Sequence, residues 1–145
     1  MKPEDCDWLE KVGRKRWRTT RRLVYHYLGF DIEIPAGFEF DLFSGVGNTK
    51  HEEMWRAAAL HDWTRQRPEC SRRFADALFL LDMVRAAIAV YRRLLTVGGA
   101  SQKRAQKELR SLLRRAAYYY IGVSGVVGSA YIGLGRAKAW IRKVF

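Results

Sequence analysis

Five residues in this chain have the types and spacing to do chemistry: Asp41 and Leu42, the adjacent pair His61 and Asp62, and Asp76. A histidine oriented by a carboxylate can act as a general base on water. Asp76 is the residue placed to orient His61, leaving Asp62 and Asp41 as charged oxygen donors for a hard cation. The Leu42 carbonyl would add a neutral oxygen, and water would complete a Ca²⁺ shell. Such an ion would polarise an ester carbonyl and stabilise the oxyanion that develops on it. Zinc fits less well, because Cys and His are scarce around these positions. The same residues also fit a purely structural network, with His61 bonded to Asp76 and Asp62 capping a helix or pairing with a nearby Arg.

The pattern around these residues predicts the elements that carry them. From Arg16 to Tyr27, aromatic and β-branched residues partly alternate with Arg and Thr, which predicts a strand or two. Phe30-Asp-Ile-Glu-Ile34 alternates cleanly, Pro35-Ala-Gly37 turns, and Phe38-Glu-Phe40 leads into Asp41. A small antiparallel sheet over residues 16–42 is therefore expected, after a polar entry segment with a short helical turn near Trp8 and Leu9. A glycine-containing loop follows, from Phe43 to Asn48. Thr49-Lys-His-Glu52 has the form of a capping box, opening a helix from about Lys50 to Thr64 that bears His61 and Asp62.

Ser71 is the expected N-cap of a second helix, about Arg72 to Leu95. Its apolar stripe is Ala75, Asp76, Phe79, Leu80, Met83, Ala87 and Val90. A carboxylate on such a stripe needs a partner, since burying it unpaired is expensive. His61 is the natural candidate. Asp82, off the stripe, can pair with Arg85.

Ser101 should cap a third helix. From Gln102 to Ala116, Ala105, Leu109, Leu112, Leu113 and Ala116 share one face, while Lys103, Lys107, Arg110 and Arg114 lie mostly off it. Tyr118 to Gly135 holds no charge, which just meets the length of a membrane span. Its five glycines, three N-terminal tyrosines and two serines favour instead a core helix, broken near Gly125 or Gly128 and followed by a short basic end with Trp140.

At 145 residues the chain can bury a core as one domain, 1–145, and its apolar and aromatic content excludes wholesale disorder. The net charge of +12 is uneven. Residues 1–100 hold 17 Lys/Arg against 14 Asp/Glu, a net of +3; residues 101–145 hold 10 against one, a net of +9. Such asymmetry either solvates a helix face or meets an acidic partner. Two cysteines, Cys6 and Cys70, stand in no metal or redox spacing and read as free thiols. The charged N-terminus predicts no signal peptide. There is no glycine-rich phosphate loop and no Gly-x-Ser-x-Gly elbow.

Two resemblances meet at these residues. Ile34-Pro-Ala-Gly-Phe38, Asp41 with Ser44, Ala58-Ala-Leu-His-Asp-Trp63, Ser71-Arg72, Ala75-Asp76 with Phe79, and Tyr120-Ile-Gly-Val123 leading to Gly125 form an ordered set. Over roughly residues 16–128 the chain resembles domain of unknown function 1353, a family often encoded in phages and prophages. It departs after Ser44, where Gly45-Val-Gly-Asn48 replaces the family's usual proline and aromatic run. More distantly, His61-Asp62 on a helix, the upstream Asp41-Leu42 and the downstream Asp76 are similar in order and spacing to bacterial phospholipase A2. That likeness covers about residues 41–80 and lacks the cysteines of a secreted phospholipase. It implies a Ca²⁺-dependent ester hydrolase site.

The expected fold class is α+β: a small N-terminal antiparallel sheet, then a mostly helical bundle over about residues 50–145. Two functions stand side by side. One is a phage or prophage structural or accessory protein, virion- or tail-associated, that retains the phospholipase-like site. The other is an active lipid-ester hydrolase at the host membrane, with His61 as base, Asp76 orienting it, and Asp41, Leu42 and Asp62 holding Ca²⁺. The expected partners of the basic C-terminal third are other virion proteins or an anionic membrane surface, with nucleic acid less favoured. The expected location is the phage virion or the host cytoplasm.

Overall fold

The computed structural model describes residues 2–27, 29–41 and 50–123. The expectations placed on Leu42, on the loop to Asn48, on Thr49, on Gly125 and Gly128, and on Trp140 lie outside those residues. The architecture is α+β: antiparallel strands in two small sheets, then three helices. The chain divides into two compact units, Met1–Cys70 and Ser71–Phe145.

In the first unit a 3-10 turn, Pro3–Asp5, precedes β1 (Leu9–Lys11). The helical turn expected at Trp8 and Leu9 is thus corrected. Leu9 and Lys11 pair with Thr19 and Trp17 of β2 (Arg16–Thr19), and Trp8 is fully buried. Strands β3 (Leu23–Tyr27) and β4 (Phe30–Ile34) form a hairpin of their own in which Tyr27 faces Phe30. Strand β5 (Glu39–Asp41) returns to β2 antiparallel, giving the order β1-β2-β5. The strand material is therefore two sheets, where the alternation alone predicted one.

Thr19 ties the return together. It is fully buried, and its hydroxyl donates to the Pro35 carbonyl (2.8 Å) and accepts from the Phe38 N–H (3.0 Å). Its carbonyl accepts from the Gly37 N–H at 2.7 Å. A buried hydroxyl satisfied on both sides costs little to keep dry. Gly37 sits at φ 86°, a backbone state that glycine adopts without steric penalty. Across the sheet, the Arg18 guanidinium donates to Glu39 at 2.8 Å, a cross-strand neighbour in register.

The inward-facing residues of both sheets make one core: Trp8, Trp17, Leu23, Tyr25, Ile34, Phe38 and Phe40, closed by Trp55 and Ala58 to Leu60 of α1 (Glu52–Arg65). Helix α1 is buried on most sides, so its apolar residues show little of the one-sided pattern of a surface helix. Its three alanines, 57–59, keep the helix slim where it lies among large aromatic rings. The helix opens with His51 at the N-cap, which makes no side-chain cap bond, so the predicted start two residues earlier is corrected. The Glu52 carboxylate expected to reach back over the helix start accepts from Nε1–H of Trp8 at 2.7 Å.

In the second unit, α2 (Arg72–Thr96) begins at Ser71, whose hydroxyl accepts from the Phe74 N–H at 3.2 Å. Helix α3 (Gln102–Val123) begins at Ser101, which accepts from the Arg104 N–H at 3.3 Å. Both predicted caps are present. Phe79, early in α2, meets Tyr119, late in α3, with ring centroids 6.4 Å apart, so the helices run antiparallel. Ala75, Phe79, Met83, Ala87 and Val90 of the predicted stripe are buried, together with Asp76. Helix α3 continues past Ala116 without a break, because Ala117 and Tyr118 to Tyr120 contain nothing that stops a helix. Among the described residues, no helix is long and apolar enough to cross a membrane.

Candidate functional site

Asp41 ends β5, and α1 packs against that strand. This brings Asp41 to Asp62, but through the main chain: the Asp41 N–H donates to Oδ2 of Asp62 at 3.1 Å. Strand β5 is the outer strand of its sheet, so N–H groups on its open edge have no ladder partner, and a carboxylate is a strong acceptor for one. The other carboxylate oxygen of Asp62, Oδ1, stands 3.5 Å from Nδ1 of His61. Successive helical residues point about 100° apart, so this neighbour contact requires both side chains to lean together. At 3.5 Å the contact is longer than a good hydrogen bond. His61 is buried at 9 % exposure, while the Asp62 side chain keeps 31 % of its surface.

Chemically, the arrangement has one carboxylate serving two neighbours. Asp62 links the end of β5 to α1 and faces the imidazole Nδ1. Calcium needs six to eight oxygens, typically from several carboxylates and carbonyls. Asp41 and Asp62 would offer the charged donors there, with Oδ2 of Asp62 already accepting a hydrogen bond. Among the described residues, no group of three or more His, Cys, Asp or Glu side chains is gathered as a metal site would gather them. Asp76 is buried at 3 % exposure on α2. It belongs to the second unit and His61 to the first.

A cleft of about 270 Å³ opens in the first unit between β4 and the C-terminal end of α1. Asp31, Glu33, Trp63, Arg67 and Cys70 are among its lining. Neither Asp41, His61 nor Asp62 lines it. The Arg67 guanidinium covers the Trp63 ring at 3.7 Å, and Phe38 meets Trp63 edge to face with ring centroids 4.9 Å apart. Beside it, Nδ1 of His26 lies 3.0 Å from Asp31 in an exposed cross-strand pair of the hairpin.

Sequence reasoning missed several of these contacts. The indole-to-Glu52 bond was hidden because Trp8 stands in a polar segment. The signal was there, since a tryptophan among charges is an apolar group with something to bury. The Tyr25 hydroxyl, which donates to the Arg56 carbonyl at 2.7 Å, is a second anchor of sheet to helix that no local pattern announces.

The comparisons with known proteins agree with the ordered motifs from Ile34 to Phe79, while the Tyr120–Gly125 motif lies outside the matched residues. No curated protein and no solved structure matches. A family model described as "Protein of unknown function (DUF1353)" matches residues 17–98, from β2 to the end of α2. That match leaves out β1 but takes in the other strands, Asp41, the His61-Asp62 pair and Asp76, more than half of the sequence, and the chain belongs to the DUF1353 family.

Proposed function

We propose that the chain is a structural or accessory protein of phage particles, virion- or tail-associated, in which the His61-Asp62 pair braces the fold. The phage setting rests on the resemblance of the ordered motifs to a family often encoded in phages and prophages. The observation that carries the bracing role is the bond from the Asp41 N–H to the Asp62 carboxylate at 3.1 Å. A carboxylate used to anchor a strand end, facing its own neighbouring histidine, has the connections of a structural link. The pairing of His61 with Asp76 belongs to the proposal as a further link, resting on the place of the buried Asp76 in an apolar helical stripe.

The second reading is the Ca²⁺-dependent lipid-ester hydrolase, and one observation favours it: Asp41 and Asp62 are neighbours in space although 21 residues apart in sequence. In that reading Asp41, Leu42 and Asp62 hold the ion and His61 activates water with Asp76 behind it. The ion would supply Lewis acidity toward the ester carbonyl.

Thermal melts with and without Ca²⁺, run beside a phospholipid turnover assay, separate the two. The parent protein, Asp62→Asn and His61→Ala are compared. The bracing role predicts no Ca²⁺-dependent shift and no turnover in any of the three. A bound ion would stabilise the parent by about 2.7 kcal/mol at a hundredfold excess over its dissociation constant. Such a shift, lost in Asp62→Asn, together with turnover lost in His61→Ala, would replace the structural reading with the hydrolase.

A further inference from the structure

We infer that the exposed basic stripe of α3 is a docking surface for the phosphodiester backbone of nucleic acid. The inference rests on the second unit alone and is independent of the role given to His61 and Asp62.

The placement of charge follows from helix geometry. At about 100° per residue, Lys103, Lys107, Arg110 and Arg114 fall within about 60° of one another on the helix circumference. Ala105, Leu112, Ala116 and Tyr119, all at most 3 % exposed, fall within a similar arc on the opposite side. The four cations are exposed. Five cations and three neutral polar residues border the recess on this side, and no carboxylate does. The electrostatic face is therefore single-signed.

The occupant is narrowed by what the helix has already used. An amphipathic helix that lies in a membrane interface needs its apolar face for the acyl chains. Here that face is closed by packing on α2, as Tyr119 against Phe79 illustrates. What remains is charge without an insertable apolar side, which suits a phosphate lattice more than a bilayer. The length also fits. Lys103 to Arg114 spans about 16 Å at 1.5 Å per residue, the axial length of about five nucleotides of one strand at 3.4 Å each. Lysine and arginine side chains on a straight row can follow such a strand without reading its bases.

The test uses the full chain and a fluorescent duplex DNA of arbitrary sequence, about two helical turns long, with anisotropy read across a salt series. Four neutralised phosphates predict a slope of log affinity on log salt of about −3.6, hence about a hundredfold loss between 50 and 200 mM salt. The combined variant K103Q/K107Q/R110Q/R114Q should flatten that slope by about three to four. Glutamine keeps helix propensity, and circular dichroism checks the fold. The control R14Q/K15Q/R21Q/R22Q removes the same net charge from exposed cations of the first unit and should bind within about twofold of the parent, because phosphate contacts and not net charge set the slope. The charge-retaining K103R/K107R should bind like the parent and guards against misfolding as the cause of loss. Equal loss in the stripe variant and the control would overturn the inference. So would absence of DNA binding, or binding to phosphatidylglycerol vesicles or to polyglutamate in its place.

Discussion

The main-chain N–H of Asp41 and the side-chain carboxylate of Asp62 meet at 3.1 Å, joining the last residue of β5 to the last turn of α1. The bond gives a strand end its acceptor and gives a half-exposed carboxylate a fixed direction. It also means that Asp41 enters the candidate site through its backbone, so substitution of its side chain leaves this link intact.

Replacing the acceptor is the direct probe. Asp62→Ala should cost about 1–2 kcal/mol, toward the low end for a hydrogen bond to a charged group because the side chain is partly solvated. Asp62→Asn keeps an oxygen in place and should cost less than about 1 kcal/mol, the scale of a neutral hydrogen bond. Urea unfolding at neutral pH measures both. Equal losses would mean that the charge, and not the accepted hydrogen bond, holds the link.

Much of the fold could be read from the chain because local chemistry decided it. Ser71 and Ser101 cap the helices they were expected to cap, and Phe30 to Ile34 forms the strand its alternation predicted. What could not be read depended on distant partners. Nothing near Trp8 specifies that its indole will find Glu52, 44 residues on, or that Leu9 will pair with Thr19. The division into two sheets follows from β5 returning to β2 past the β3–β4 hairpin, a choice made by the Thr19 bonds and not by any strand's own pattern. In the candidate site, Asp41 meets Asp62 through its main chain, a use of the residue that its type does not convey.

The Trp8 to Glu52 bond joins a fully buried indole to the first turn of α1. Glu52→Ala leaves the indole N–H without that acceptor and should cost about 1–3 kcal/mol, the penalty of an unsatisfied buried donor. Trp8→Phe removes the donor along with some apolar volume. The double variant should then lose less than the sum of the two, with a coupling of about 1 kcal/mol or more. Additive losses in denaturant unfolding would show the bond to carry no net stability.

Burial pushes the Cys6 thiol up to about 11 from its ordinary 9.0, and the carboxylates of Glu52, Asp7 and Asp5 add to the rise. Between those values the unfolded chain gives up the thiol proton while the folded chain keeps it. The unfolded state then binds fewer protons, so stability falls as pH rises from about 9 to 11. Cys6→Ala should show a shallower fall over the same window, and the difference between the two melting curves isolates this thiol from the lysines and tyrosines that titrate nearby. A thiol held protonated also reacts slowly. Iodoacetamide at pH 8 should therefore label the half-buried Cys70 well before Cys6, as peptide mapping would record; equal labelling rates would contradict the shift.

The His61–Asp76 dyad is the proposal with the most at stake. It rests on Asp76 occupying a helical stripe otherwise made of apolar residues, and on both residues being buried, at 3 % and 9 % exposure. A carboxylate that dry needs hydrogen-bonding partners to stay charged. If His61 is one of them, each single change strands the other member. His61→Gln and Asp76→Asn, which keep size and some hydrogen-bonding capacity, should then be non-additive, with a coupling of about 1–3 kcal/mol in a double-mutant cycle. Residues that do not touch should add within about 0.5 kcal/mol. Additive energies would remove Asp76 from the site, and with it the carboxylate that the hydrolase reading needs behind its base.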